Sequence, residues 1–106
     1  MKYPVSTFDG VILLFRSKIV VTLRKSILDP QGKAVEHGIH ALGFSTVKNV
    51  RMGKYIELEV ETERREDAER AVTDVSKKLL ANPVMEDYSF TVEEIEQVQQ
   101  NSAPHV

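Results

Sequence analysis

Cysteine and tryptophan are absent from the 106 residues, and aromatic side chains make up only 7% of the chain. Without cysteine there is no disulfide framework, no thiolate nucleophile and no zinc knuckle. The longest apolar run is Val11 to Phe15, with Asp9 and Gly10 before it and Arg16 after it. Five residues are too few to span a bilayer or to make a secretory core. A basic excess is also missing: 14 Lys and Arg face 16 Asp and Glu, for a formal charge of −2, which disfavours general binding to nucleic-acid phosphates. What remains is 42% hydrophobic and 28% charged, the profile of one folded domain with one core. The location expected for such a chain is the cytoplasm.

The regular pattern begins at Lys18, where Ile19, Val21 and Leu23 alternate with Val20, Thr22 and Arg24 as a strand. Asp29-Pro30 then reads as a helix start, because the carboxylate accepts from free first-turn amides and proline at the first position loses no bond. On that helix Val35, Ile39 and Leu42 share an arc and Gly43 ends it. Val47 to Met52 and Tyr55 to Val60 read as two arms of a hairpin around a Gly53-Lys54 turn. In the second arm Ile56, Leu58 and Val60 face one way and Tyr55, Glu57 and Glu59 the other. A second helix spans about Arg64 to Leu80, with a stripe of Ala68, Ala71, Val72, Val75 and Leu79, and Asn82-Pro83 stops it. Tyr88, Phe90 and Val92 alternate as a final strand.

The expected fold is therefore α+β with a ferredoxin-like βαββαβ order, an antiparallel sheet with two helices on one face. Open strand edges point to a sheet extended across a homodimer, with the final strand pairing between copies. The expected division is an N-terminal extension of unknown role over 1–17, a domain over 18–94 and a mobile polar tail over 95–106.

Catalytic signals are weak. Glu36, His37 and His40 share a helix, but His37 lies opposite the apolar arc and no further ligand clusters nearby. Gly32-Lys33 and Gly53-Lys54 lack the rest of a phosphate loop. The row Glu57, Glu59, Glu61 reads as a solvated strand face more readily than as an acid–base pair. No nucleophile has a matching base. A ligand-binding regulatory domain of ferredoxin-like type and a dimeric adaptor both stay open, and each works by contact.

Four longer words carry more information: Val21-Thr22-Leu23, Ile27 to Val35 (ILDPQGKAV), Asn49 to Leu58 (NVRMGKYIEL) and Lys78 to Tyr88 (KLLANPVMEDY). Their order and spacing resemble the PurS family, the small subunit of phosphoribosylformylglycinamidine synthase in purine biosynthesis. The resemblance covers about Lys18 to Glu94. It implies a non-catalytic subunit that forms homodimers, bridges a synthetase subunit (PurL) and a glutaminase subunit (PurQ), and supports ammonia transfer between them. It also implies that ATP and Mg bind on the synthetase, with no cofactor, metal or catalytic residue on this chain. The partner contacts expected on these words are Leu28, Asp29, Gln31 and Lys33, then Arg51, Lys54 and Tyr55, then Asn82, Asp87 and Tyr88. Local structure explains the same positions as cap, turn and helix stop.

Overall fold

The structure is a computed structural model and describes residues 11–99. Its elements are β1 (Val11–Leu23), α1 (Pro30–Ala41), β2 (Gly53–Thr62), α2 (Arg65–Val75) with a π-helical turn over Ser76–Leu80, and β3 (Glu86–Gln99). The three strands form one sheet in the order β2-β1-β3, and both neighbours run antiparallel to β1.

Alternation along β1 builds the core. Phe15, Ile19 and Val21 point to one face and are essentially fully buried, joined there by Ala68 and Val72 of α2 and by Ala81. Ile56, Leu58 and Val60 of β2 and Tyr88, Phe90 and Val92 of β3 pack around this centre. Each fully buried Phe, Ile or Val contributes roughly 1.5–3 kcal/mol relative to exposure. Arg65 closes one end, its guanidinium 5.6 Å from the Phe15 ring centre while Nη1 donates to the Val92 carbonyl at 2.7 Å. The other face carries Arg16 and Lys18 between strands rich in carboxylates, Arg16 pairing with Glu59 at 3.2 Å.

Several expectations are corrected. Val47 to Met52 is not a strand, so the element order is βαβαβ and the sheet has three strands among the described residues. The amides that would have entered a ladder are taken by carboxylates instead: Val50 N donates to Glu36 and Met52 N to Asp29. Gly53-Lys54 is accordingly not a turn. Gly53 opens β2 opposite Thr22, and a Cβ there would lie 2.6 Å from the Val21 carbonyl oxygen. Helix α1 begins at the expected Asp29 cap but buries only Gly32. Its arc is therefore not a sheet-covering stripe, since Val35 is exposed and Leu42 is 76% exposed. Among the described residues only α2 covers the sheet, so the expectation of two helices on one face is met by one.

The second helix departs from its stripe after Val72 for a physical reason. The π turn, in which Ala81 N donates to Ser76 O at 3.0 Å, adds one residue and rotates the phase. Ser76, one ordinary α turn beyond Val72, is still buried, and past it the altered phase turns Leu79 outward at 78% exposure and brings Ala81 to the core. Strand pairing also continues past both expected domain boundaries: residues 11–17 lie in β1 and residues 95–99 in β3, with a register shift between Leu14 and Phe15. The apolar, β-branched run Val11 to Phe15 suits a strand, and it gives the polar residues 95–99 a ladder to join. The remainder of the expected extension and tail lies outside the described residues. No helix among the described residues is long and apolar enough to cross a membrane.

Candidate functional site

At one end of the sheet β1 finishes, and β2 and β3 both begin, because Thr22 pairs with Gly53 and Leu23 with Glu86. Three loops meet there: Arg24 to Asp29, the stretch ahead of Gly53, and Asn82 to Met85. These carry the three longest sequence words, which the topology brings together from distant parts of the chain.

Asp29 organises the meeting point. It is 4% exposed, and its two oxygens are used separately: Oδ1 accepts from Gly32 N at 2.9 Å, capping α1, and Oδ2 accepts from Met52 N at 2.8 Å. The amides of Met52 and then Gly32, with a smaller share from the Arg51 charge, hold this carboxyl below its ordinary value of 3.8. Arg51 grips the facing loop, its Nη2 donating to the carbonyls of Leu23, Arg24 and Ile27 at 3.3, 2.8 and 3.0 Å. Arg24 ties the third loop, with Nη2 on the Pro83 carbonyl at 2.7 Å and Nε 3.4 Å from the Asp87 carboxylate. Asn82 Oδ1 accepts from Val84 N at 2.9 Å, and Lys54 Nζ donates to the Leu80 carbonyl at 2.9 Å.

Between the first two loops and the start of α1 lies a cavity of about 630 Å³, lined by Leu28, Asp29, Lys33 and Arg51 of the expected set, together with Lys25 and Glu36. Leu28 is 68% exposed, and Gln31 is exposed on the first turn of α1. Lys54, Asn82 and Asp87 belong to the same end of the sheet. Two expected contacts lie elsewhere. Tyr88 is half-buried beside the core, stacked on Phe90 with ring centres 6.4 Å apart. Tyr55 is on the open face, its hydroxyl donating to Glu57 at 2.6 Å, and that carboxylate raises the phenol above its usual value. His40, considered as a metal ligand from the sequence, has Nε2 2.6 Å from the Val47 carbonyl oxygen.

Sequence reasoning missed Arg24 and Lys25. The signal available was the local charge balance, since basic residues dominate from Arg24 to Lys54. It was masked by the near-zero net charge of the whole chain.

The Asp29 geometry carries a pH prediction. Its carboxyl is lower in the folded chain than in the unfolded one, so its stabilising contribution is complete above about pH 4 and is lost as pH falls through the folded value. Asn at this position keeps one acceptor oxygen for two amides and turns an NH₂ toward the other. Asp29→Asn should therefore melt several degrees below wild type at pH 6, the gap closing as pH is lowered below 4. A gap that does not depend on pH would show that the charge of Asp29 is not what stabilises the loops.

The family model described as phosphoribosylformylglycinamidine (FGAM) synthase, PurS, matches residues 16–94. PurS of Bacillus subtilis is 45% identical over 82 residues, covering 77% of this chain and 96% of the relative. PurS of Methanocaldococcus jannaschii is 37% identical over 83 residues, covering 78% and 100%. Among solved structures, B. subtilis PurS superposes with a TM-score of 0.68 at 46% identity, covering 76% of this chain and 99% of that one. A PurLQS structure from Thermotoga maritima contains a chain that superposes with a TM-score of 0.69 at 39% identity, covering 77% and 98%.

Proposed function

The chain belongs to the PurS family, the small-subunit family of phosphoribosylformylglycinamidine synthase, and from that membership we propose that it bridges the two catalytic subunits without catalysing a step itself. It is a subunit of a glutamine-dependent, ATP-using ligase of purine biosynthesis, in association with PurL and PurQ. In the reaction, ammonia released from glutamine by PurQ replaces the ATP-activated glycinamide carbonyl oxygen of formylglycinamide ribonucleotide on PurL, that oxygen leaving with the phosphate and the formyl group staying intact, to give formylglycinamidine ribonucleotide. ATP and Mg belong on PurL. A bridge matters because free ammonia is mostly protonated at neutral pH and ammonium is not the nucleophile, so coupling and shelter prevent loss. The setting proposed is the cytoplasm.

The observation that carries the reading is the convergence of the three long words on one end of the sheet, where Asp29, Arg51 and Arg24 lock the loops against one another. A chain whose distinctive residues shape a surface works through contact. The proposed surface comprises Leu28, Gln31, Lys33, Lys54, Asn82 and Asp87, with Asp29 and Arg51 setting its shape.

The sheet order β2-β1-β3 supports reading the fold as a ferredoxin-like sheet that lacks, among the described residues, the edge strand beside β2. Among the described residues both outer strands keep a free edge, and the proposal is that two copies continue the sheet across β3.

Reconstitution tests the assignment. PurL and PurQ with this chain should convert formylglycinamide ribonucleotide at the expense of glutamine and ATP, the same mixture without it should turn over far more slowly, and the chain alone should be inactive. Sedimentation of that preparation should give twice the chain mass. Full glutamine-dependent turnover by PurL and PurQ alone would refute the bridging role, and a monomer at micromolar concentration would refute the shared sheet.

A further inference from the structure

Charge is distributed unevenly along this chain. From residue 24 to residue 54, Arg24, Lys25, Lys33, Lys48, Arg51 and Lys54 face only Asp29 and Glu36, a net charge of +4, whereas residues 55–99 carry −8. The cavity at the end of the sheet lies in the basic part, with Lys25, Lys33 and Arg51 among its lining residues.

Its two carboxylates are already occupied. Asp29 accepts from Gly32 and Met52, and Glu36 Oε1 accepts from Val50 N at 3.2 Å. The ammonium groups are not: among the described residues neither Lys25 nor Lys33 lies within 4.0 Å of a carboxylate. Arg51 spends its donors on neutral carbonyls, and its charge acts in part on Asp29, so the two lysines are the cations left for a ligand. Apolar surface lies beside these cations, with Ile27, Leu28 and Val50 in the lining, Leu28 68% exposed and Met52 40% exposed. A free phosphate would use the cations and leave this apolar rim in water. A polypeptide carrying a carboxylate and an apolar side chain would use both.

We propose that this cavity receives an acidic segment of a partner subunit, with its carboxylates on Lys25 and Lys33 and an apolar side chain against Leu28. The proposal rests on the bridging role and specifies which surface of the chain meets the partner and by what chemistry. Charge complementarity of this kind chiefly governs encounter rate and choice of partner, so its mark is a strong dependence on salt.

The test uses the full chain with purified PurL and PurQ. Lys25 and Lys33 are exposed, and a Glu at position 33 sits in the first turn of α1, where the helix dipole favours it, so the double variant Lys25→Glu/Lys33→Glu should fold, as circular dichroism can verify. Its affinity for one of the two subunits should fall at least about tenfold at low salt, with a flatter salt dependence than wild type. Lys77→Glu/Lys78→Glu, the same charge change on the π turn, should bind as wild type does. Equal affinity of wild type and the cavity variant, while wild type still supports glutamine-dependent turnover, would overturn the docking proposal and leave the bridging role intact. Saturable binding of inorganic phosphate that the cavity variant loses, with partner affinity unchanged, would overturn it in favour of a small-anion site. Failure of wild type to support turnover would instead remove the bridging role and the docking proposal together.

Discussion

Replacing Ile19 by Ala is expected to cost about 2–5 kcal/mol, the range for deleting most of a large aliphatic side chain from a packed interior. Ile19 is completely buried. It sits mid-sheet, opposite Ile56 on one side and Phe90 on the other, in the cluster that Val72 of α2 covers. Three elements therefore lose contact at once, and the sheet around it is too well paired to close the space. Against a total stability of about 5–15 kcal/mol, the loss is large enough to leave a measurable unfolded fraction. Urea unfolding should show a much lower midpoint. Val20→Ala, one residue along and 43% exposed on the other face, supplies the contrast and should shift it little. Similar midpoints for the two variants would mean that the alternation of β1 does not define the core.

Gly32→Ala is expected to damage the loop junction more than a single methyl suggests. The added Cβ would run into the Val50 carbonyl oxygen and lie 2.8 Å from Asp29 Oδ2, the atom that holds Met52. Relief requires the start of α1 to move away from the stretch ahead of β2, loosening both bonds that Asp29 makes. Overpacking of this kind costs about 1–3 kcal/mol, and the displaced loops carry the proposed partner surface. The expected result is a lower melting temperature together with loss of most glutamine-dependent turnover at temperatures where the variant is still folded. Unchanged melting and turnover would show that the junction tolerates rearrangement.

Local periodicity made β1, the Asp29-Pro30 cap, Ala68 and Val72, and the alternation of Tyr88, Phe90 and Val92 legible in the sequence, because each depends on residues a few positions apart. The failures share a cause. Val47, Val50 and Met52 look like strand residues, but Glu36 and Asp29 hold the amides of Val50 and Met52 from far along the chain, and Asn49 adopts a left-handed φ of 58°. Helical spacing identified the apolar arc of α1 without revealing whether another element covers it. A single π turn was enough to expose Leu79. At the candidate site the words themselves were visible, whereas the grip of Arg51 on three carbonyls depends on chain reversal that no local pattern encodes.

The central position of β1 has a kinetic consequence. Its partners are far away in sequence, Gly53 being the nearest residue of β2 and Glu86 the nearest of β3, and among the described residues no tight hairpin offers an early start. Loop closure must be met before the first ladder bond is rewarded, which places folding with mixed α/β topologies, slower than fast helical domains. During synthesis β1 leaves the ribosome before either neighbour exists. Phe15, Ile19 and Val21 then wait for several seconds, until β3 is made, at ordinary elongation rates. Until β2 emerges both edges of the nascent strand are open to pairing with any other extended chain, and the edge that β3 takes stays open for the rest of that interval.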